Sequence, residues 1–220
     1  MKKWGMALTA LGFFCLFAML LLTVVETCGT NAGIYRELQE ANGLPEAAGI
    51  SQEEMERLDG MLADYLSGDG AALDDSPFNE RELAHMRDVL ALFDLARTVR
   101  NVLLVAAAAL LAAGLWLSRG RRLLAMCLTG LGALLVPLGA FAVWAAVDFS
   151  SAFTFFHEVL FTNDLWLLDP ETDMLLRLLP EQFFADFAGV IAVRALAYML
   201  AVPLAIFGVR FGRRFICTDA

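Results

Sequence analysis

The sequence predicts an all-α polytopic membrane protein with four transmembrane helices and two extracytoplasmic loops that form a helical, partly interfacial cap. Its 220 residues are 59% hydrophobic with a mean hydropathy of +0.64, which is well above that of soluble domains. Four apolar stretches approach or exceed the roughly 20 helical residues that cross a bilayer core. We predict spans at residues 1–25, 98–117, 123–147 and 187–209, outer loops at 26–97 and 148–186, a cytoplasmic turn at 118–122 and a cytoplasmic tail at 210–220.

The distribution of charge predicts which loops face the cytoplasm. The segments 1–3, 118–122 and 210–220 contain only one of the 25 acidic residues, Asp219. Because Lys and Arg accumulate in cytoplasmic loops, both termini are expected inside and both long loops outside. The net charge of -9 then belongs to the outer loops and gives no indication of a nucleic-acid partner. The basic residues of the three short segments are Lys2, Lys3, Arg119, Arg121, Arg122, Arg210, Arg213 and Arg214.

The first span is expected to remain in the protein as an anchor. Its apolar core is long for a signal peptide, and Glu26 interrupts the region where small residues would precede a cleavage site. Glu26 also lies where a lipoprotein signal ending at Cys28 would need a small apolar residue. The predicted topology separates Cys28 from Cys15, Cys127 and Cys217, so no disulfide is expected.

The first outer loop contains three helix signals. Residues 33–42 have a short helical pattern, and Ser51 opens a capping box for a second helix. The third helix follows Ser76, with Asn79 as its cap, and nothing breaks it between Glu80 and Leu117. Such a helix would be roughly 57 Å long, so its first turns must lie above the membrane or along its surface. The second helix has an apolar stripe, expected to pack in the loop's own core or on the membrane surface: Met55, Leu58, Leu62, Tyr65 and Leu66.

The chain contains only two histidines, His85 and His157, and both fall in the predicted outer loops. Histidine is the side chain whose unperturbed pKa lies nearest working pH, so two of them at one site would supply acid/base chemistry. Asp88 lies on the same helical face as His85 and could fix its tautomer and support its charged form. The alternative is that each histidine is an ordinary surface residue, and spacing alone does not decide between the two interpretations.

The second outer loop combines charges with many large apolar side chains. This composition is typical of a segment in the lipid interface, with Trp166 and the phenylalanines as anchors. Asp169 is expected to cap a helix that has Pro170 at its first position, followed by a turn-rich segment at 173–179. A histidine held in such a segment would lie at the depth of lipid ester groups.

The run from His157 to Leu175, HEVLFTNDLWLLDPETDML, and the run from Leu178 to Phe184, LLPEQFF, resemble the bacterial four-span family of lipoprotein intramolecular transacylases (Lit). The blocks HMRDV, from His85, and YL, from Tyr65, resemble the family's other recurring segments. The resemblance covers nearly the whole chain. It implies a protein of the bacterial plasma membrane that moves the sn-2 acyl chain of a diacylglyceryl-modified lipoprotein onto the α-amine of its N-terminal cysteine. It also implies that the two catalytic histidines of the family are His85 and His157.

This chemistry is consistent with the residues present. Donor ester and acceptor amine belong to one substrate, so holding the substrate curled can supply the proximity that an acyl-enzyme would otherwise provide. The α-amine, with a reference pKa of about 7.7–8.0, must lose a proton before it attacks, and histidine is a suitable acceptor. We expect His157 to take that proton and His85, steadied by Asp88, to assist the tetrahedral state and the leaving oxygen. No cofactor is expected.

Further residues are predicted to support this site. Asn163 could donate to an oxyanion and Asp164 could be a histidine partner, although an Asn-Asp pair builds turns equally well. Arg194 lies within the fourth span, where a charge needs a polar partner or water. The residues expected to contact the lipid or peptide part of a substrate are Arg87, Phe155, Phe156, Trp166 and Asp173.

Three other functions remain open from the residues alone. A lipase could use Ser150 or Ser151 beside His157, although the Gly-x-Ser-x-Gly elbow is absent from the sequence. A metal hydrolase could use both histidines with Asp88 or Asp164, but the spacing supports it poorly. A scaffold or transporter subunit would need no chemistry at all. Trapping of an acyl-enzyme would favour the lipase, and inactivation by chelators would favour the metal hydrolase. Unchanged lipids in cells lacking the protein would favour the scaffold or transporter subunit.

Overall fold

The computed structural model describes residues 2–44, 49–73 and 77–216, with side chains described as far as residue 209. All regular secondary structure in these residues is helical, without a strand, and the predicted all-α class is confirmed. Ser76, which precedes the predicted third helix of the first outer loop, and the tail residues from Cys217 onward lie outside the described residues. In chain order the helices are α1 (Lys2–Gly29), α2 (Ala32–Ala41), α3 (Gln52–Ser67), α4 (Glu80–Ser118), α5 (Leu123–Val147), α6 (Phe149–Leu160), α7 (Met174–Leu178) and α8 (Glu181–Ile216).

Four helices are long and apolar enough to cross a membrane: α1, α4, α5 and the Glu181–Val209 part of α8. Large apolar side chains such as Val105, Val136 and Leu204 are about two-thirds or more exposed on them, as expected for surfaces that contact lipid tails. α4 is continuous over 39 residues, as the absence of a breaker after Glu80 predicts. α5 and α8 continue through Pro137 and Pro203.

The chain divides into two compact units. The first comprises residues 2–24, 98–141 and 192–216 of the described chain. In it, glycines allow close approach of helix backbones: a Cβ at Gly114 would lie 2.6 Å from the amide nitrogen of Thr9, and one at Gly130 would lie 2.6 Å from the carbonyl oxygen of Ala10. Small residues at such crossings are how membrane helices gain packing contacts. Any larger side chain at these positions would separate α1 from α4 or α5.

The second unit comprises residues 25–44, 49–73, 77–97 and 142–191. It has a hydrophobic core to which both predicted outer loops contribute, so the stripe of α3 packs inside the protein. Burying each large apolar side chain stabilises such a core by about 1.5–3 kcal/mol. The core residues are Tyr35, Met55, Leu58, Leu62, Leu66, Leu73, Phe78, Met86, Leu175, Leu178, Leu179 and Phe183.

Local signals place the helix ends of this unit. The Ser51 hydroxyl accepts a hydrogen bond from the Glu54 amide at 3.2 Å, as the capping box predicts, and α3 ends at Gly68 in the left-handed region, with φ 81°. At the start of α4 the Asn79 side chain accepts from the Glu82 amide at 3.0 Å, while the Glu82 carboxylate accepts from the Asn79 amide at 2.7 Å. This reciprocal pair fixes where the helix that contains His85 begins.

One helix of the second outer loop was not predicted, and one expectation for this loop was wrong. Residues 149–160 form helix α6, begun by the Asp148 carboxylate, which accepts from the Ser151 amide at 3.0 Å. Asp169 does not cap a helix: its carboxylate accepts from the Glu171 amide at 2.9 Å in a turn, and α7 begins only at Met174. The Asp169 amide instead donates to the Asp173 carboxylate at 2.7 Å, which closes the turn before a helix can start.

Candidate active site

The two histidines lie side by side. His85, in the second turn of α4, and His157, in the last turn of α6, have ring centroids 6.1 Å apart, with their planes tilted by 36°. Both residues are buried, with 7% and 9% of their surface exposed. Two buried imidazoles from distant parts of the chain therefore share one site.

Aromatic side chains surround the pair. Phe153 packs edge-on against the His157 ring at 4.3 Å between centroids, and Trp166 stacks on it at 5.0 Å. Phe161 contacts both histidines, at 5.6 Å from His157 and 5.1 Å from His85. This apolar enclosure keeps water away from the rings, which strengthens electrostatic interactions with a reacting group.

The hydrogen bond of His157 determines its tautomer. Its Nδ1 lies 2.8 Å from the carbonyl oxygen of Phe153, one turn earlier in α6. Because a carbonyl can only accept, Nδ1 must donate, and in the neutral ring the lone pair is then on Nε2. His85 differs, because its buried Nδ1 has no hydrogen-bond partner among the described residues.

Burial keeps both histidines neutral. Desolvation and the nearby His157, opposed by the charge of Asp88, together lower the pKa of His85 to about 4. Desolvation also lowers the pKa of His157, opposed by its hydrogen bond to Phe153. Near pH 7 both rings are therefore uncharged, so a basic nitrogen is available without prior loss of a proton.

Hydrogen bonds tie the start of α4 to the segment that follows α6. Leu175 donates its amide to the Glu82 carboxylate at 2.5 Å, and Glu82 is almost fully buried. Asn79 donates to the Asp173 carboxylate at 2.7 Å, and the Arg81 guanidinium donates to the Asp164 carbonyl at 2.5 Å. These bonds fix the position of His85 relative to the second loop.

The predicted supporting residues Asn163, Asp88 and Asp164 are joined by hydrogen bonds between the second outer loop and α4. The Asn163 amide donates to the Asp88 carboxylate at 2.9 Å, and its oxygen accepts from the Leu165 amide at 3.0 Å in a turn. Among the described residues, Asp88 therefore has Asn163 as its hydrogen-bond partner and acts on His85 through its charge alone. The Asp164 carbonyl accepts from the Arg81 guanidinium and, at 3.2 Å, from the Leu167 amide.

The predicted substrate-contacting residues divide into two groups. Trp166 and Phe156 contact the His157 ring directly, whereas Phe155 is 46% exposed and packs on Trp144 at 5.2 Å. Arg87 is exposed on α4. Asp173 is buried, and its carboxylate already accepts from Asn79, from the Asp169 amide and from the Thr172 hydroxyl.

Sequence reasoning missed Phe153, Phe161 and Glu82 as residues that shape the site. Phe153 and Phe161 lie four residues before and after His157, so recognising α6 would have put all three on one face. The sequence signal for α6 was the cap formed by Asp148 with Ser151, whose hydroxyl donates to Asp148 at 2.6 Å.

No three His, Cys, Asp or Glu side chains within the described ranges 2–44, 49–73 and 77–216 are arranged to hold a metal ion.

The fold defines a helical membrane-integral protein, and comparison identifies its family. The profile of the lipoprotein intramolecular transacylase family, Lit, matches residues 10–184. The chain belongs to this family. Its activity is accordingly intramolecular acyl transfer on lipoproteins, and it resides in a membrane.

Solved structures of the membrane-integral lipoprotein intramolecular transacylase Lit from Bacillus cereus have the same fold. One is 22% identical, with a TM-score of 0.77, and the match covers 98% of each chain. A variant with one histidine replaced by arginine is 21% identical, with a TM-score of 0.75 over 99% of this chain and 95% of that one. A variant with a histidine-to-alanine change is 22% identical, with a TM-score of 0.71 over 98% and 96%. No curated protein sequence matches the chain significantly.

Proposed function

We propose that His157 is the general base and His85 the hydrogen-bond donor in transfer of the sn-2 acyl chain of a diacylglyceryl-cysteine lipoprotein to its α-amine. The observation that carries the proposal is the 6.1 Å separation of two buried histidine rings. A pair so close can contact both the attacking nitrogen and the ester oxygens of one curled substrate. The termini are cytoplasmic in this proposal, and the histidines act at the outer surface of the bacterial plasma membrane.

The tautomer of His157 supports its assignment as the base. With Nδ1 donating to Phe153, the lone pair on Nε2 is free to accept the proton of the amine. The Phe153 carbonyl also stabilises the charged ring that results, because it accepts a stronger hydrogen bond from an imidazolium. His157 thus resembles a histidine held by a carboxylate, with a carbonyl as its orienting group.

The surroundings of His85 support the role of donor. A buried acceptor without a partner is tolerated better than a buried donor without one, so Nδ1 carries the lone pair and Nε2 carries the proton. An Nε2–H near His157 can stabilise the oxyanion of the tetrahedral state. The Asp88 charge opposes the loss of His85 basicity on burial and so stabilises positive charge that develops on this ring.

The reaction balances without a cofactor or an acyl-enzyme. The amine nitrogen attacks the ester carbonyl and passes its proton to Nε2 of His157. The carbonyl carbon then loses the glycerol sn-2 oxygen, which takes the proton back from His157. One C–N bond forms, one C–O bond breaks, and the product is an N-acyl, S-monoacylglyceryl cysteine of unchanged mass.

The remaining predicted residues have supporting roles in the proposal. Phe156 and Trp166, which contact His157, and Phe155, which is exposed on α6, line the path of the acyl chains because all three are apolar. Arg87 faces outward, where it can contact a phosphate or an acidic side chain of the membrane surface. Asp173 and Asn163 act by positioning the loop rather than by contacting substrate.

The test is mass spectrometry of a defined diacylglyceryl lipopeptide incubated with the purified protein. Because the mass does not change, fragmentation must locate the acyl chain on nitrogen or on glycerol. We expect N-acylated product from the wild type and from Glu158→Ala, a control beside the base on the exposed side of α6. His157→Ala should give almost none. Loss of a fatty acid from the lipopeptide would instead indicate a lipase and contradict the proposal.

A further inference from the structure

A cavity of about 600 Å³ lies where three membrane-spanning helices end. Lys2 begins α1, Ser118 ends α4, and residues 119–122 form the turn that leads into α5. Ends of spanning helices lie at the depth of lipid headgroups. The cavity belongs to the unit of residues 2–24, 98–141 and 192–216 and has no part in the histidine site.

The lining of this cavity is strongly cationic. Four basic side chains line it, and no acidic residue lines it within the described part of the chain: Lys2, Arg119, Arg121 and Arg122. Concentrating like charges is unfavourable unless an anion is bound among them. Guanidinium groups in particular match the geometry of phosphate oxygens.

The backbone conformation of the turn at residues 119–122 brings these side chains together. Arg119, Gly120 and Arg122 have φ values of 54°, 65° and 55°. The left-handed region is ordinary for glycine, but two arginines occupy it here as well. The three residues reverse the chain within a few positions, so that neighbouring arginines all line one cavity.

Ser118 supplies an independent observation that points to a ligand. It is only 2% exposed and lines the cavity, and its hydroxyl has no hydrogen-bond partner among the described residues. The close approach of α1 and α4 holds it there: a Cβ on Gly5 would lie 2.7 Å from the Ser118 amide nitrogen. Buried hydroxyls nearly always have a partner, so one beside four cations suggests that the partner is an anion.

We propose that this cavity binds the phosphate of an anionic phospholipid, with the Ser118 hydroxyl and the surrounding Lys and Arg side chains as donors. The lipid's position fits, because the phosphate would lie at headgroup depth while its chains run along the apolar surfaces of the spans. Basic pockets between transmembrane helices are known to select such headgroups. The bound lipid would join the first span to the turn between the second and third.

The test is native mass spectrometry of the detergent-purified protein titrated with dioleoylphosphatidylglycerol, with dioleoylglycerol as the lipid without phosphate. We expect one phosphatidylglycerol to bind and no dioleoylglycerol. Ser118→Ala and Lys2→Gln should each weaken binding about tenfold, as expected for loss of a charge-assisted hydrogen bond. Lys3→Gln removes the same charge from a neighbour that does not line the cavity, and it should leave binding unchanged.

Two results would overturn the proposal. Equal weakening by Lys2→Gln and Lys3→Gln, with no effect of Ser118→Ala, would mean diffuse attraction to a basic surface. Binding of inorganic phosphate without binding of phosphatidylglycerol would mean a site for a free anion. If Ser118→Ala lowers the unfolding temperature in lipid-free detergent, the comparison of Lys2→Gln with Lys3→Gln decides the question.

Discussion

At the scale of single residues, the position of one proton determines what His157 can do. The Phe153 carbonyl holds the proton on Nδ1, and burial keeps the ring neutral, so Nε2 is a base at neutral pH. That the two histidines could work together was predicted from the sequence, because they are the only two and fall in loops on the same side. Their tautomers could not be predicted, because these depend on a helix and an aromatic enclosure formed by residues without a recognisable motif.

A second buried group, Asp59, has a consequence for stability rather than for chemistry. It is 1% exposed in α3 and accepts a hydrogen bond from the Gln39 amide at 3.0 Å, while Asp59 Oδ2 and Gln39 Oε1 have no hydrogen-bond partner among the described residues. Burial raises the pKa of Asp59 to about 6. Since the folded pKa exceeds the unfolded one, its contribution to stability is full below the unfolded pKa and is lost as pH rises through about 6.

Asp59→Asn should therefore stabilise the protein at alkaline pH. The neutral amide avoids burying a charge and can donate to Gln39 Oε1, so the unfolding free energy near pH 8 should rise by on the order of 2 kcal/mol. The gain should shrink near pH 5, where wild-type Asp59 is mostly protonated. Thermal unfolding at both pH values measures this, with Asp64→Asn on the exposed side of α3 as the control. A gain independent of pH would contradict the assignment.

At the scale of elements, α4 and the segment after α6 must be held in register for the histidines to meet. Both oxygens of the Glu82 carboxylate accept backbone amides, one from Asn79 at the start of α4 and one from Leu175 in α7. The capping role of this residue was predictable from its spacing after Asn79. Its bond to α7 was not, because that partner is 93 residues away and is brought close only by the shared core.

Glu82→Gln should weaken both the fold and the reaction. The amide group would point a donor at a donor, leaving a buried N–H without a partner and lowering the unfolding free energy by about 1–3 kcal/mol. The rate constant for acyl transfer within the enzyme–substrate complex should fall as well, because His85 lies three residues further along α4. Glu80→Gln, exposed in the same turn, is the control and should have little effect. Unfolding and single-turnover transfer are the measurements, and an unchanged transfer rate would contradict the positioning role.

The membrane-spanning helices of this chain can be predicted from its sequence more completely than the helices and turns of the second outer loop. Apolar length alone indicates the membrane helices, because a bilayer imposes one simple requirement on each. α6 escaped prediction because its aromatic residues, such as Phe153 and Phe156, read equally well as an interfacial loop. Asp169 was misassigned because Asp before Pro begins turns as well as helices, and only the buried Asp173 carboxylate decides between them.

At the scale of the whole molecule, the charge pattern predicts the orientation in the membrane. The basic turn after α4 and the basic start of α1 should face the cytoplasm, and α3 should face outward. A cysteine placed at Glu53 should react with a membrane-impermeant maleimide on intact cells. One placed at Lys3 should react only after permeabilisation. Both cysteine variants are made in a protein that also carries Cys217→Ser. Labelling of the cysteine at position 3 on intact cells, with labelling of the one at position 53 only after permeabilisation, would contradict the proposed outer location of the site.

The central claim is that the two histidines act as one unit. The measurement that tests it most directly is the single-turnover rate of acyl transfer in the wild type, His85→Ala, His157→Ala and the double variant. Each single change should slow transfer by about 10²–10⁴-fold, the usual contribution of acid/base catalysis. The double variant should be little slower than the slower single variant, because groups that act together are not additive. A near-normal rate in either single variant, or losses that multiply in the double variant, would contradict the account.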